Sequence, residues 1–439
     1  MSTFPLSTLG RGWLAIDSAD TPMHMGALLY LSLPGDAPSD WVARLAEQWR
    51  QSTEVQHPWN LHLAATPFPS LHGKWLPDDD IELDYHFRHS ALPNPGGERE
   101  MGELVSRLHG RGLDLSRPPW ECHLIEGLQD GRFAIYVKVH AALLTGPDFL
   151  DALLNRFSSQ PGQDPRAPWT VPAVLPHPQS LATAWPKLLG PLRRRVRDAL
   201  FSSLPWAGLR HAPRSALNDQ INGLRRFATQ DYPRSRLQAV GRNIGASEEE
   251  VIYFLVASAV RRFFREFNAL PDRPLIALVA DRSRRDRQLL PLLISLGTHR
   301  ANRRKRLREI RESLRVARGM ASARSADLAR AEASADVLPY VFRQLMGVDH
   351  RLSPLFNLGI VHYEGAADRR YLGDATVESV FPMPMLLQGS ALAIASLTYA
   401  DKISVGLCGA RDTLPHLQRM AVYMEGVLQQ LEAEGLDDE

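Results

Sequence analysis

Chemistry that needs an ionisable side chain at a defined turn has one strong candidate region in this sequence. It is Tyr136-Val-Lys-Val-His140-Ala141-Ala142-Leu143-Leu144-Thr145-Gly146, where a strand ends and a helix begins near Pro147. An imidazole such as that of His140, with an ordinary pKa near 6.5, can take up and return a proton at neutral pH. Thr145-Gly-Pro-Asp148 reads as a helix N-cap box, a hydroxyl and a carboxylate three residues apart at a helix start. Other schemes find no support: the sequence has no GxSxG elbow, no Walker-type glycine loop and no HExxH. Its two cysteines, Cys122 and Cys408, sit in no CxxC or Cys/His ligand spacing, which argues for a reducing cytoplasm and against structural zinc. His24, His123, His362 and His416 are scattered as structural histidines are, and none is assigned a metal.

A scaffold must hold that region. A chain of 439 residues, 44% hydrophobic and 23% charged, is soluble, globular and long enough for two domains. Up to about Gln160, strands and helices alternate. Leu9, Trp13 and Ile16 share one face of a short helix, His24–Leu33 is a strand, and Trp41–Gln51 and Gly102–Leu113 are helical. Phe133–His140 is a strand with Phe133, Ile135, Val137 and Val139 on one face. Pro161, Pro165, Pro168, Pro172, Pro176 and Pro178 break regular structure, making 161–217 a linker or crossover. Its Trp185, Leu188, Leu189, Arg193–Arg195, Arg197, Phe201 and Trp206 suit either a helix on a lipid surface or one packed on its own domain.

From about Asn218 a second domain follows. Ser247-Glu-Glu-Glu250 is a capping box opening the apolar helix Val251–Phe264, and Leu275–Val279 is a short strand. Leu307, Ile310, Leu314 and Ala317 stripe an arginine-rich helix. Strands at Leu355–Val361, Leu392–Tyr399 and Lys402–Cys408 precede a closing helix, Leu414–Leu431. The expected division is 1–160, 161–217 and 218–439, an α/β fold of two layered domains with a cleft between them.

Around His140 the sequence resembles the bacterial wax ester synthase/diacylglycerol acyltransferase family, over nearly the whole chain. Pro5-Leu-Ser7, Pro22-Met-His24-Met-Gly26, Leu113-Asp-Leu-Ser-Arg-Pro-Pro-Trp-Glu121 and His123-Leu-Ile-Glu-Gly127 stand in the family's order. So do Gly223-Leu-Arg-Arg-Phe227, Phe356-Asn357-Leu358, Tyr399-Ala-Asp401 and Arg411-Asp412-Thr-Leu-Pro-His416. The resemblance implies two chloramphenicol-acetyltransferase-like domains, each a mixed sheet with helices, and a cleft or tunnel between them. It also implies transfer of an acyl group from acyl-CoA to a fatty alcohol or diacylglycerol. The family signature is HHxxxDG: its second histidine is the general base, its aspartate holds the local structure, and its glycine lets the backbone turn.

Here the pattern reads HAxxxTG. His140 matches the first histidine and Gly146 the glycine, while Ala141 stands for the base and Thr145 for the aspartate. Alanine accepts no proton, and loss of a positioned base typically costs about 10²–10⁴ in rate. His140 is the candidate replacement, but neighbours on an extended chain point to opposite faces, so it is expected to pack or hydrogen-bond beside the motif. Asn357 and Gln388 are candidates for lining the cleft. Gly10 replaces a family aspartate, Glu249-Glu250 an Asn-Asp pair, and His362–Ala367 a Ser-Asn-Val-Pro-Gly-Pro-like stretch. A Gly-Asn pair expected around Leu289–Leu292 is missing. Two readings stand: a homologue impaired or inactive in acyl transfer that binds acyl-CoA or neutral lipid, or acts with an active relative; or an active enzyme using His140 or another base.

No bound cofactor is expected, with acyl-CoA as substrate or ligand. Net charge is +2, with arginine runs at Arg193–Arg197, Arg282–Arg287 and Arg303–Arg308 that could meet phosphate. A solvated helix face is the plainer account of each run, and without a base-reading motif no nucleic acid is expected. The N-terminus lacks a secretory pattern, and Val251–Val260 is half the length of a membrane span. A cytoplasmic protein is the expectation, with a membrane or lipid-droplet surface as the alternative that the linker's tryptophans and arginines raise.

Overall fold

A computed structural model describes residues 3–52, 54–175, 212–282, 289–322, 340, 343–344 and 353–436. Two six-stranded mixed sheets organise it. In chain order the strands are β1 (His24–Ser32), β2 (Phe87–Ala91), β3 (Trp120–Glu126), β4 (Arg132–His140), β5 (Arg225–Pro233) and β6 (Ile276–Arg282). There follow β7 (Leu289–Ser295), β8 (Leu358–Glu364), β9 (Tyr371–Leu372), β10 (Ala375–Met383), β11 (Leu392–Tyr399) and β12 (Lys402–Ala410). The longer helices are α1 (Thr8–Ile16), α2 (Trp41–Arg50), α3 (Glu98–His109), α4 (Gly146–Arg156), α5 (Arg234–Ile244), α6 (Glu248–Glu266), α7 (Arg303–Ser322) and α8 (Gln418–Glu434).

The first sheet runs β9-β10-β1-β4-β3-β2 and the second β7-β6-β8-β11-β12-β5. Thus β9 and β10, which follow the second sheet's β8 in sequence, complete the first sheet, and β10 pairs antiparallel with β1 from Thr376↔Ser32 to Met383↔Gly26. After β10 the chain returns to the second sheet as β11. The division of the sequence at residue 218 does not anticipate this exchange of strands.

β4 is the central strand that carries the candidate region. Its Phe133, Ile135, Val137 and Val139 enter one apolar cluster with Trp49, Trp59, Trp120 and Trp169. Ala134 and Tyr136 enter another, on the opposite face, beneath Met101 and Val105 of α3, as the two-residue period of a strand requires. The chain after Gln160 is not free of this core. Trp169 is fully buried, and the indole N–H groups of Trp49 and Trp59 donate to the carbonyls of Pro165 and Val171. The remaining basic and tryptophan-bearing part of the linker, Trp185 to Trp206, lies outside the described residues.

In the second half, Ser247 caps α6 as the sequence predicts: its hydroxyl accepts the Glu250 N–H and the Glu250 carboxylate accepts the Ser247 N–H. Residues 251–260 are buried throughout, so α6 is a core helix. Leu307, Ile310, Leu314 and Ala317 are all buried against it. Among the described residues no helix is long and apolar enough to cross a membrane. The helix expected over Gly102–Leu113 instead runs Glu98–His109. Its start is set by the Glu100 carboxylate, which accepts the Gly97 N–H at 2.9 Å, and its end by Gly110.

Candidate active site at the end of the central strand

β4 ends where β1 begins, with His140 paired opposite His24. The clamp extends one residue further, because the Ala141 N–H donates to the Met23 carbonyl at 2.9 Å. Ala141 is 3% exposed and its methyl belongs to the apolar cluster of Val139, Leu143 and Leu144. No heteroatom is offered at that position.

The His140 ring is 2% exposed. Its Nδ1 accepts the Ala142 N–H at 3.1 Å, so the neutral ring carries its proton on Nε2. That nitrogen faces Asp17 Oδ1 at 3.6 Å, outside hydrogen-bond range, and the same Asp17 oxygen accepts the Met23 N–H at 2.7 Å. A base must present a free lone pair to its substrate. The one lone pair of His140 is committed to the backbone two residues on.

Thr145 caps α4. Its hydroxyl donates to Asp148 Oδ2 at 2.6 Å and accepts the Asp148 N–H at 3.4 Å. Gly146 then opens the helix against the other half of the molecule: a β-carbon placed there would lie 2.3 Å from the Tyr363 hydroxyl of β8. Burial raises the Tyr363 phenol well above its ordinary range, so it stays neutral. On the near side α1 presses on the same loop, and a β-carbon at Gly10 would sit 3.0 Å from the Ala142 carbonyl oxygen. An aspartate could not replace Gly10 without moving α1 or the loop. The alanine motif and Gly10 are therefore packed as a unit.

Beneath the loop lies a buried polar layer on the even-numbered face of β4. The Lys138 ammonium is fully buried; it donates to the Leu108 and Arg111 carbonyls and lies 3.1 Å from Glu121. Burial lowers its pKa, with Glu121 opposing. Removing one member would strand a buried charge, at a cost of about 3–5 kcal/mol. His109 takes the Tyr136 hydroxyl on Nδ1 and reaches the Pro384 carbonyl with Nε2; burial pushes its pKa down to about 3. His24 meets the His109 carbonyl and is also held well below its ordinary value, first by burial and then by His109 and Lys138. These histidines are neutral hydrogen-bonding pieces of the fold near pH 7.

Asn357 and Gln388 bind backbone groups of the second half. Asn357 is fully buried; its Oδ1 accepts the Ile276 N–H and its Nδ2 donates to the Pro213 carbonyl and Asn218 Oδ1. Gln388 brackets Ile221, accepting its N–H and donating to its carbonyl. Both amides staple the segment re-entering the second half. His362 binds Ser396 at 2.9 Å, on the face of β8 opposite Tyr363. The sequence reading did not single out Asp17, Lys138 or Tyr363. Tyr363 lies inside a stretch noted as divergent, whereas nothing in the local pattern marks Asp17.

Residues 6–252 match the model of the wax ester synthase/diacylglycerol acyltransferase catalytic domain, and residues 288–432 that of its C-terminal domain. The Mycobacterium tuberculosis protein Rv3480c, which carries a diacylglycerol O-acyltransferase name, is 34% identical over 96% of this chain and 95% of its own. The solved wax ester synthase/diacylglycerol acyltransferase of Marinobacter aquaeolei VT8 is 32% identical, with a TM-score of 0.81 over 98% of this chain and 99% of its own. The first condensation domain of the calcium-dependent antibiotic synthetase shares the fold at 16% identity, with a TM-score of 0.57 over 99% and 97% of the two chains.

Proposed function

The chain belongs to the wax ester synthase/diacylglycerol acyltransferase family, and from that membership we propose an acyl-CoA-dependent O-acyltransferase scaffold impaired in proton transfer. The carrying observation is the buried methyl of Ala141 at the end of β4. In this reaction the alcohol oxygen attacks the thioester carbonyl, the CoA thiolate departs, and the hydroxyl proton must pass to a base. Ala141 cannot take it. His140 sits next to it with its Nδ1 lone pair engaged by Ala142, and His362 bonds Ser396 on another face. Without a base, transfer falls by about 10²–10⁴. Substrate positioning alone can still supply part of an enzyme's acceleration, so the proposal is impairment with retained binding of acyl-CoA and a lipid alcohol. Thr145 keeps the helix cap while giving up the carboxylate.

The test is CoA thiol release and ester formation from long-chain acyl-CoA with either a fatty alcohol or diacylglycerol. The natural chain is compared with Ala141→His/Thr145→Asp. A silent or slow natural chain and an increase of about 10²-fold or more in the double variant support the proposal. Rapid turnover by the natural chain overturns it. The rival reading, in which His140 serves as base, draws on its Nε2 facing Asp17 at 3.6 Å; it is separated by the His140 variants discussed below.

A further inference from the structure

A groove of about 1740 Å³ runs between the two halves, along α3, β5 and the start of α8, and none of residues 140–146 lines it. β5 spans its length, from Arg225 to Asp231, about 20 Å of extended chain. At the Asp231 end the carboxylates are hydrogen-bonded or paired. Asp231 accepts from Ser379 and Ser404, Tyr30 donates to Glu98, Ser32 donates to Glu378, and Arg99 pairs with Glu103.

The opposite end is different. Three separate contacts bring the chain segments that carry four groove-lining arginines together here. Phe227 N–H bonds the Ser106 hydroxyl at 3.0 Å, which sets the backbone of Arg107 alongside that of Arg226, and both line the groove. Gly110 approaches the Gly223 carbonyl so closely that a β-carbon would lie 2.8 Å away, which brings in Arg111. Arg411 N–H donates to the Leu224 carbonyl at 3.1 Å. Arg225, also here, is satisfied by the Asn222 and Asp20 carbonyls. The side chains of Arg107, Arg111, Arg226 and Arg411 have no hydrogen bond or ion pair among the described residues. The Arg226 Nε is moreover buried without an acceptor, a costly state for a charged donor. The nearby Asp412 carboxylate is held by Asn222. The arginine run that the sequence displays, Arg303–Arg308, is by contrast used by the fold: Arg303 pairs with Glu434, and Arg306 is buried on Ser258 and backbone carbonyls.

We propose that this end of the groove is a binding site for a phosphate or pyrophosphate group borne by an amphiphile. Guanidinium forks match phosphoryl oxygens in geometry as well as charge. The same groove exposes Leu224 and Val422, 49% and 67% accessible, as a flank for a hydrocarbon or other apolar portion. Two sources carry this chemistry, a nucleotide-type carrier such as coenzyme A and a phospholipid. Ala141 does not line the groove; the coenzyme A source rests on the acyl-CoA reading above, the phospholipid source does not.

The probe is inorganic pyrophosphate, titrated calorimetrically into the full chain at low salt. Saturable binding is expected. Arg226→Gln weakens it about tenfold or more, and so does the double variant Arg107→Gln/Arg411→Gln, whose two sites are exposed and leave the ligand-free unfolding midpoint unchanged. Arg265→Gln, in a separate basic groove of α6, leaves binding unchanged. No binding, or binding indifferent to both the Arg226 and the Arg107/Arg411 variants, overturns the site. Displacement of pyrophosphate at lower concentration by coenzyme A than by dihexanoyl phosphatidic acid names the carrier; the reverse names the phospholipid. Displacement by neither overturns the amphiphile assignment.

Discussion

Replacing His140 with alanine and with asparagine separates a structural histidine from a catalytic one. In the structure the imidazole Nδ1 is the acceptor for the buried Ala142 N–H at 3.1 Å. Alanine leaves that donor without a partner, at about 1–3 kcal/mol, and removes a ring that is 2% exposed. Together these predict a loss of about 2–4 kcal/mol. Asparagine places its Oδ1 the same number of bonds from the backbone as Nδ1, so it keeps the hydrogen bond. It should recover at least about 1 kcal/mol of that loss. Urea unfolding with unchanged slope reads the difference as a shift in midpoint. In parallel, any acyl transfer by the parent, expressed per folded molecule, should stay within about threefold in the asparagine variant, because a fall of 10²–10⁴ is the signature of a lost base. An asparagine variant as stable as the parent but without turnover would refute the reasoning and install His140 as the base. An alanine variant of undiminished stability would refute the structural role instead.

Gly146→Ala should destabilise by about 1–3 kcal/mol, since its β-carbon falls 2.3 Å from the Tyr363 hydroxyl; Tyr363→Phe in the same chain should return part of that loss, and purely additive effects would mean the two do not meet. His109 gives a pH test. Burial depresses its folded pKa to about 3, so the unfolded chain binds the proton first. His109 should contribute a fall in stability of about 1.4 kcal/mol per pH unit from roughly pH 6.5 downward, towards pH 3, beside the contribution of His24, which is also depressed. His109→Gln, which keeps a donor and an acceptor, should flatten that slope over pH 4–6, and an unchanged slope would show that another group titrates.

How much of this was legible beforehand depended on whether the determining interaction was local. The α6 start was legible because Ser247 and Glu250 satisfy each other's backbone within one turn. β11 was legible at both ends, Leu392 and Tyr399, because it is buried on both faces and bounded by polar turns. The α3 boundary was read four residues late, since its first turn is Glu98-Arg99-Glu100 with no apolar periodicity and its cap is made by a glycine. β10 escaped notice altogether. A register irregularity between Val377 and Ser379 breaks its alternation, and its partner β1 lies more than 340 residues upstream in the pairing with Ser32. The loss of the base at Ala141 was visible from the resemblance alone. That His140 is committed to Ala142 depended on the angle at which β4 ends, which one-dimensional pattern does not encode. Asn357 likewise matched a motif, yet its task is to hold the re-entering chain at Pro213 and Asn218.

The exchange of β10 into the first sheet also sets a timetable for synthesis. When β4 has left the ribosome, β1 already has one neighbour, but its other edge waits for residues 375–383. At about 5–20 residues per second the wait is on the order of tens of seconds. Throughout it the amino-terminal half presents an unpaired edge beside the strand that carries the motif, open to pairing with another nascent chain. Cutting the gene between the two halves would make that interval permanent. The amino-terminal fragment is therefore expected to be recovered in aggregates, and to gain solubility when 365–385 is supplied as a peptide.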